Sequence, residues 1–189
     1  HHIVLVSDPE NDEVRLYSDG ELASSNNGPA IESNDNPMMI GENPDALNRT
    51  WSGMIDDVGI WDRPITEAEI ATIWNGGDGT ALVTAGGGVV ELVPELIAYW
   101  PFDSASDLVD KVAGIEGEAQ GTLEDAEGFI GGAVDLGAGN TENWIKVDAE
   151  ANTWLAAVSD NNAMSVSFWQ KLHAVKSAST IWFRAEAAG

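Results

Sequence analysis

Short alternating runs of apolar and polar residues, separated by turn residues, dominate the chain and narrow its fold to a few all-β architectures. Residues 14–17 (VRLY) alternate with period two. They are followed by Asp19-Gly20, a pair that favours a type I′ hairpin turn because both positions must adopt positive φ. Residues 164–172 alternate in the same way. Many short strands of this kind are typical of a β-sandwich or jelly roll and not of alternating strand–helix units.

A single short helix is predicted near residues 66–75. Thr66 and Glu69 have the spacing of a capping box, and three apolar side chains fall on one helical face after them. The Asn-Gly-Gly sequence at 75–77 predicts the end of the helix, because asparagine and glycine tolerate the left-handed conformation that follows a last turn.

Charge and composition exclude several classes of function. The chain of 189 residues has 32 acidic and 8 basic residues, which gives a formal charge of -24. Such a field repels nucleic acids and anionic lipid surfaces. There are no cysteines, so disulfides, zinc–thiolate sites and cysteine nucleophiles are absent. No apolar run reaches the ~20 residues that a membrane span needs.

The first part of the chain carries a series of motifs that resembles the closing strands of a known domain. These motifs are residues 1–6 (HHIVLV), 14–22 (VRLYSDGEL), 53–61 (GMIDDVGIW) and 64–70 (PITEAEI). They are similar to the C-terminal half of laminin-G-like jelly-roll domains, which belong to the concanavalin A-like lectin/glucanase superfamily. The resemblance implies an all-β, two-sheet jelly-roll β-sandwich.

The second part of the chain resembles the opening strands of the same family. The motifs are residues 98–103 (AYWPFD), 131–136 (GGAVDL), 144–147 (WIKV) and 165–169 (SVSFW). Residues 1–77 therefore resemble the C-terminal half of the domain and residues 98–189 its N-terminal half. A Gly-rich connector, residues 78–97, lies between them.

This reversed order leaves two interpretations open. The chain is either a piece of a tandem array or a circular permutant whose halves close on each other. Half a sandwich would leave an apolar sheet face in water and strand edges unpaired. We therefore predict that both halves form one sandwich, by closure within one chain or by strand exchange in a homodimer.

Strand 53–61 contains two adjacent carboxylates with different predicted environments. By alternation, Asp56 shares its face with Val58 and Ile60 and points into the sandwich. A buried carboxylate requires a partner or a metal ion. Asp57 has the opposite parity and is predicted to face solvent.

The resemblance implies a structural calcium ion at Asp56, with partners near the opening strand of the other half. The candidate partners are Asp103, Asp107 and Asp110, whose carboxylates are the hard oxygen ligands that calcium prefers. The alternative is that Asp56 accepts hydrogen bonds from backbone amides at the end of a turn.

Tryptophan rings stack on sugar faces, so exposed ones would mark a carbohydrate site. The candidates near predicted loops are Trp51, Trp144 and Trp154, for which packing inside the protein is the alternative. Those within predicted strands are expected to pack in the core: Trp61, Trp100 and Trp169.

Together these features predict a non-catalytic module that binds carbohydrate or an extracellular glycoconjugate. The Glu-x-Asp-x-x-Glu pattern of retaining glycosidases in this superfamily does not occur, so catalysis is not expected. The acidic, cysteine-free composition fits a secreted or cell-surface protein of bacterial origin. A structural or adhesion repeat and a divergent glycoside hydrolase or lyase remain alternatives, because a fold does not fix a function.

Overall fold

Antiparallel strands form most of the computed structural model, which describes residues 1–28, 37–43, 50–85, 89–139, 142–148, 158, 161–173 and 181–182. The first strands are β1 (His2–Asp8), β2 (Glu13–Ser18), β3 (Glu21–Asn26), β4 (Met38–Ile40), β5 (Gly53–Trp61), β6 (Val83–Ala85) and β7 (Val89–Glu91). The later strands are β8 (Leu96–Trp100), β9 (Glu118–Gln120), β10 (Glu124–Glu127), β11 (Gly132–Asp135), β12 (Trp144–Val147), β13 (Met164–Leu172) and β14 (Ile181–Trp182). The α-helix α1 spans Glu67–Trp74, and 3-10 turns span Pro9–Asn11 and Asn75–Gly77.

The larger sheet contains eight strands and joins the two parts of the chain. Its order is β10-β11-β5-β13-β1-β2-β3, and β8 pairs with β5. Strand β5 from the first part pairs with β8, β11 and β13 from the second part. Strands on both sides of the connector therefore share one hydrogen-bonded sheet within a single chain.

A four-stranded sheet, in the order β14-β4-β12-β9, forms the second layer of the sandwich. The inner core combines side chains of both sheets, including Ile40 and Ile145 from the smaller sheet and Val58, Trp100 and Phe168 from the larger one. Trp100 is fully buried, as predicted for a strand tryptophan. The fold is thus a two-sheet jelly-roll β-sandwich.

A second apolar cluster covers the outer face of the larger sheet. Helix α1 contributes Ile70 and Ile73 to this cluster, and the strands contribute Val4, Trp61 and Tyr99. Full burial of an isoleucine side chain contributes about 1.5–3 kcal/mol. The short helix is therefore held mainly by this apolar contact, since an isolated helix of its length is not stable in water.

The local predictions for the helix and the first hairpin are confirmed. Thr66 is the N-cap of α1, and the reciprocal capping box with Glu69 is present. Asn75 ends the helix in the left-handed conformation. Asp19 and Gly20 both have positive φ and connect β2 to β3.

Strands β9 and β10 lie on either side of residues 121–123, and neither shows the apolar alternation of the longer strands. Strand β10 has the sequence EDAE, and three of its four residues are exposed. It is a charged edge strand, which apolar alternation cannot reveal.

Within the described residues, no helix has the length and hydropathy needed to cross a membrane.

Candidate functional site

A β-bulge in β5 brings two carboxylates to the same side of the larger sheet. The register against β13 shifts between Ser167 and Trp169, and Asp57 has a φ of 51°. Asp57 and Val58 therefore oppose the single residue Phe168. The prediction that Asp57 faces solvent is wrong, since it is only 3% exposed.

Because of the same bulge, Asp56 does not point into the sandwich as predicted. Asp56 lies opposite Trp169 and lines a groove with it, whereas Val58 and Ile60 pack in the inner core. The extra residue in the bulge breaks the simple alternation between position 56 and position 58. Asp56 is buried, but on the outer side of the larger sheet.

Asp56 and Asp57 each have one carboxylate oxygen engaged. Asp56 Oδ2 accepts hydrogen bonds from the backbone N–H groups of Phe129 at 2.7 Å and Ile130 at 3.1 Å. Asp57 Oδ1 accepts a hydrogen bond from the Tyr99 hydroxyl. Asp56 Oδ1 and Asp57 Oδ2 are buried without a donor among the described residues. A shared proton or a cation would satisfy these two oxygens.

Burial is the main reason that both carboxyl groups hold protons more tightly than usual. It raises the pKa of Asp56 to about 6, although the two backbone N–H groups act in the opposite direction. Burial, followed by the charge of Asp56, raises the pKa of Asp57 to about 8. Burial and the charge of Asp57 also raise the pKa of Tyr99, so its hydroxyl remains a donor. Ionisation of both carboxyl groups at neutral pH is thus electrostatically unfavourable.

The other predicted calcium ligands do not gather around Asp56. Asp107 is exposed and its side chain forms an ion pair with Lys111 at 2.7 Å. Asp110 is buried and holds a turn, since it accepts backbone hydrogen bonds from Tyr99, Val112 and Ala113. The described part of the chain contains no group of three or more acidic or histidine side chains that could hold a metal ion.

Among the predicted calcium ligands, Asp103 is the one whose charge acts on Asp56 and Asp57. Its negative charge contributes to the raised pKa of both Asp56 and Asp57. Its Oδ1 accepts a hydrogen bond from the N–H of Gly132 at 2.7 Å. Asp103 and Asp56 therefore hold the same hairpin, which connects β10 to β11.

The predicted tryptophan platform does not form at Trp51. This side chain is 4% exposed and packs in the inner core, so its faces are not available to a ligand. Trp144 is half-buried at the start of β12. Trp154 lies outside the described residues.

A different set of aromatic rings forms a stack on the outer face of the larger sheet. The rings of Phe129 and Trp169 lie 3.8 Å apart with an angle of 9° between their planes. Trp74 stacks on Trp169 at 5.5 Å, and His2 lies 4.8 Å from Trp169. Phe129 is 49% exposed at the outer end of this stack.

The aromatic stack borders a groove of about 250 Å³. The groove is lined by both parts of the chain: His1, Met54 and Asp56 from the first, and Glu127, Gly128, Phe129, Ala133, Trp169, Gln170 and Lys171 from the second. An exposed aromatic ring next to charged and amide side chains can bind a ligand that has both an apolar face and polar substituents.

Sequence reasoning missed Phe129 as a site residue. It predicted that Trp169 is buried, and this side chain is only 3% exposed, but it lies beside the groove and outside the inner core. Trp169 has the opposite parity to Phe168, and this alternation correctly indicates that the two side chains lie on different faces of β13. Phe129 lies in a hairpin next to an acidic strand, and no alternation or motif marks it.

Comparison with known proteins supports the family resemblance for the first part of the chain. A laminin G family model, described as the Concanavalin A-like lectin/glucanases superfamily, matches residues 1–71. No curated protein and no solved structure matches the chain. The matched segment contains β1 to β5 and most of α1, and the strands of this segment pair with the remainder of the chain in one sandwich. Residues 1–71 therefore carry the laminin-G-like motifs of the concanavalin A-like lectin/glucanases superfamily, within a jelly-roll β-sandwich.

Proposed function

We propose that the protein is a non-catalytic carbohydrate-binding module of a secreted or cell-surface protein. The observation that carries this proposal is the groove beside the Phe129–Trp169 stack. Phe129 presents about half of its surface to solvent, although an aromatic ring of this size usually lies inside a protein. The family match supports a binding module, since it connects the first part of the chain to a lectin and glucanase superfamily.

The groove combines the two kinds of contact that sugars require. The apolar C–H face of a pyranose can stack on the exposed ring of Phe129. The exposed side chains of Glu127 and Lys171 can form hydrogen bonds with sugar hydroxyls. The charge of -24 disfavours polyanionic ligands, so neutral glycans are the first class to test.

The proposal predicts that Phe129→Ala weakens glycan binding about tenfold or more, because it removes the exposed stacking surface. A glycan array in the presence of calcium identifies a ligand, and isothermal titration compares the affinities of the variants. Leu22→Ala is the control, since Leu22 is similarly exposed, at 51%, on β3 at the other end of the larger sheet. A wild-type protein that binds no glycan, or a Phe129→Ala variant of unchanged affinity, would count against the proposal.

A structural calcium ion is part of the proposal, but with fewer carboxylate ligands than the sequence suggests. Asp56 and Asp57 fit such an ion, because each has a buried oxygen without a donor among the described residues. Asp107 and Asp110 do not fit, since their carboxylates are engaged elsewhere. A bound calcium ion would supply positive charge next to these two carboxylates.

Removal of calcium is expected to lower the melting temperature. A ligand present at about 100 times its Kd stabilises the folded state by about 2.7 kcal/mol, which corresponds to about 5–10 °C in a domain of this size. Thermal melts in calcium and in EDTA measure the difference. Asp107→Asn should leave the calcium response intact, whereas Asp57→Asn should abolish it. Identical wild-type melts in both buffers would remove Asp56 and Asp57 from consideration as calcium ligands.

A further inference from the structure

The hairpin between β10 and β11 is held in place by the carboxylate of Asp56 on β5 and by that of Asp103, which follows β8. Its own closing hydrogen bond runs from Gly128 N–H to the Gly131 carbonyl oxygen at 3.2 Å. Asp56 on β5 accepts hydrogen bonds from the next two backbone N–H groups, those of Phe129 and Ile130. The hairpin is therefore attached to the centre of the larger sheet at the residue that carries the exposed ring.

The atoms around the hairpin leave little space between its backbone and Asp56. A Cβ atom at Gly128 would lie 1.8 Å from the Gly132 carbonyl oxygen and 2.7 Å from Asp56 Oδ2. Only glycine therefore permits the carboxylate and the hairpin backbone to approach each other so closely. A Cβ atom at Gly79 would similarly lie 2.9 Å from the ring of Phe129. The ring is thus confined from the side as well as by the backbone hydrogen bonds.

Asp56 itself is poorly placed to bind a sugar directly. It is buried, and its Oδ2 is already engaged by two N–H donors. Its influence on the groove passes through the backbone of Phe129, whose ring lies on Trp169. A charged acceptor makes stronger hydrogen bonds with backbone N–H groups than a neutral one.

We propose that Asp56 is the positioning residue of the groove: its carboxylate fixes the β10–β11 hairpin so that the ring of Phe129 lies on Trp169 as a platform for a sugar. This inference rests on the proposed carbohydrate-binding function. It also means that the ligand site is assembled from both parts of the chain, because the carboxylate belongs to the family-matched segment and the platform does not.

The first test measures the position of the ring without a ligand. In ¹⁵N-edited NMR spectra, Asp56→Asn should increase hydrogen exchange at the amides of Phe129 and Ile130 about tenfold and weaken the NOEs between Phe129 and Trp169. Asp125→Asn is the matched control, since it also removes one negative charge. Asp125 lies on β10, and its carboxylate accepts hydrogen bonds from Ser104 and Ala105 and not from Phe129 or Ile130. Unchanged exchange and NOEs in Asp56→Asn would overturn the positioning role.

The second test measures affinity for the tightest binder among the array glycans, cellohexaose, laminarihexaose and chitohexaose, with and without EDTA to separate any metal contribution. Asp56→Asn should weaken binding about tenfold, and Asp125→Asn should not. In the Phe129→Ala background, Asp56→Asn should cause no further loss, because its effect passes through the ring. A thermal melt of each variant shows whether stability has changed.

The possible results separate the two proposals. If the wild-type protein binds neither a glycan of the array nor any of the three hexasaccharides, the carbohydrate function fails and with it the role of Asp56 in ligand binding. If a glycan binds but Asp56→Asn retains wild-type affinity, the positioning role alone is overturned. The same conclusion follows if the losses caused by Asp56→Asn and Phe129→Ala are additive.

Discussion

Trp100→Ala is expected to lower the free energy of unfolding by about 3–5 kcal/mol, the range for removal of a buried aromatic side chain. Trp100 is fully buried on β8 and lies in the inner core opposite Val58 of β5. It belongs to the second part of the chain, whereas Val58 belongs to the family-matched segment. The substitution therefore leaves a cavity between the two parts. Urea titration followed by tryptophan fluorescence and circular dichroism measures the loss.

The number of unfolding transitions is as informative as the urea concentration at the midpoint. Because both parts contribute to one inner core, wild-type and variant should each unfold in a single transition detected equally by both probes. Phe129→Ala is the control, since that ring is half exposed and its removal leaves the inner core intact. Two separate transitions, with Trp100→Ala affecting only one of them, would show that the parts fold independently.

Features fixed by neighbouring residues could be predicted from the sequence. The Thr66–Glu69 capping box and the Asp19-Gly20 turn depend on contacts within a few residues, so their spacing alone identifies them. The reversed family motifs also predicted the jelly roll, because each motif retains the pattern of its own strand.

The orientation of the carboxylates could not be predicted, because it depends on one extra residue in a strand. Alternation assumes a regular pleat, and the bulge at Asp57 and Val58 breaks it. Nothing in the sequence of residues 53–61 marks that position. The simple pattern therefore assigned Asp56 to the wrong face and Asp57 to solvent, whereas the structure buries both.

The groove depends on tertiary contacts and was missed for a related reason. Phe129 and Trp169 are 40 residues apart and meet only because β10, β11, β5 and β13 are neighbours in the sheet. The sequence suggested loop tryptophans as carbohydrate-binding residues, but Trp51 packs in the inner core. Exposure of an aromatic ring is a property of the assembled sheets and not of its position in the sequence.

The stability of the calcium-free protein should fall as the pH rises from about 4 to about 8. Burial raises the pKa of Asp57 to about 8, whereas an unfolded aspartate has a pKa of about 3.9. The folded state therefore binds more protons than the unfolded state in this interval, and the free energy of unfolding decreases with pH. Each unit of pKa difference corresponds to about 1.4 kcal/mol, so the total loss should reach several kcal/mol.

Asp57→Asn should remove most of this pH dependence in EDTA. Asparagine has the shape of a protonated aspartate, its Oδ1 can still accept the Tyr99 hydrogen bond, and its amide can donate to Asp56. Urea titrations at pH 4, 6 and 8 should show similar stabilities for wild type and variant at pH 4 and a more stable variant at pH 8. Asp107→Asn is the control, because the hydrogen bond from Lys111 lowers the pKa of this exposed carboxyl group and no such gain at pH 8 is expected. A variant that is less stable than wild type at pH 8 would show that the Asp57 carboxylate is stabilised in the folded protein, contrary to the electrostatics of the buried pair.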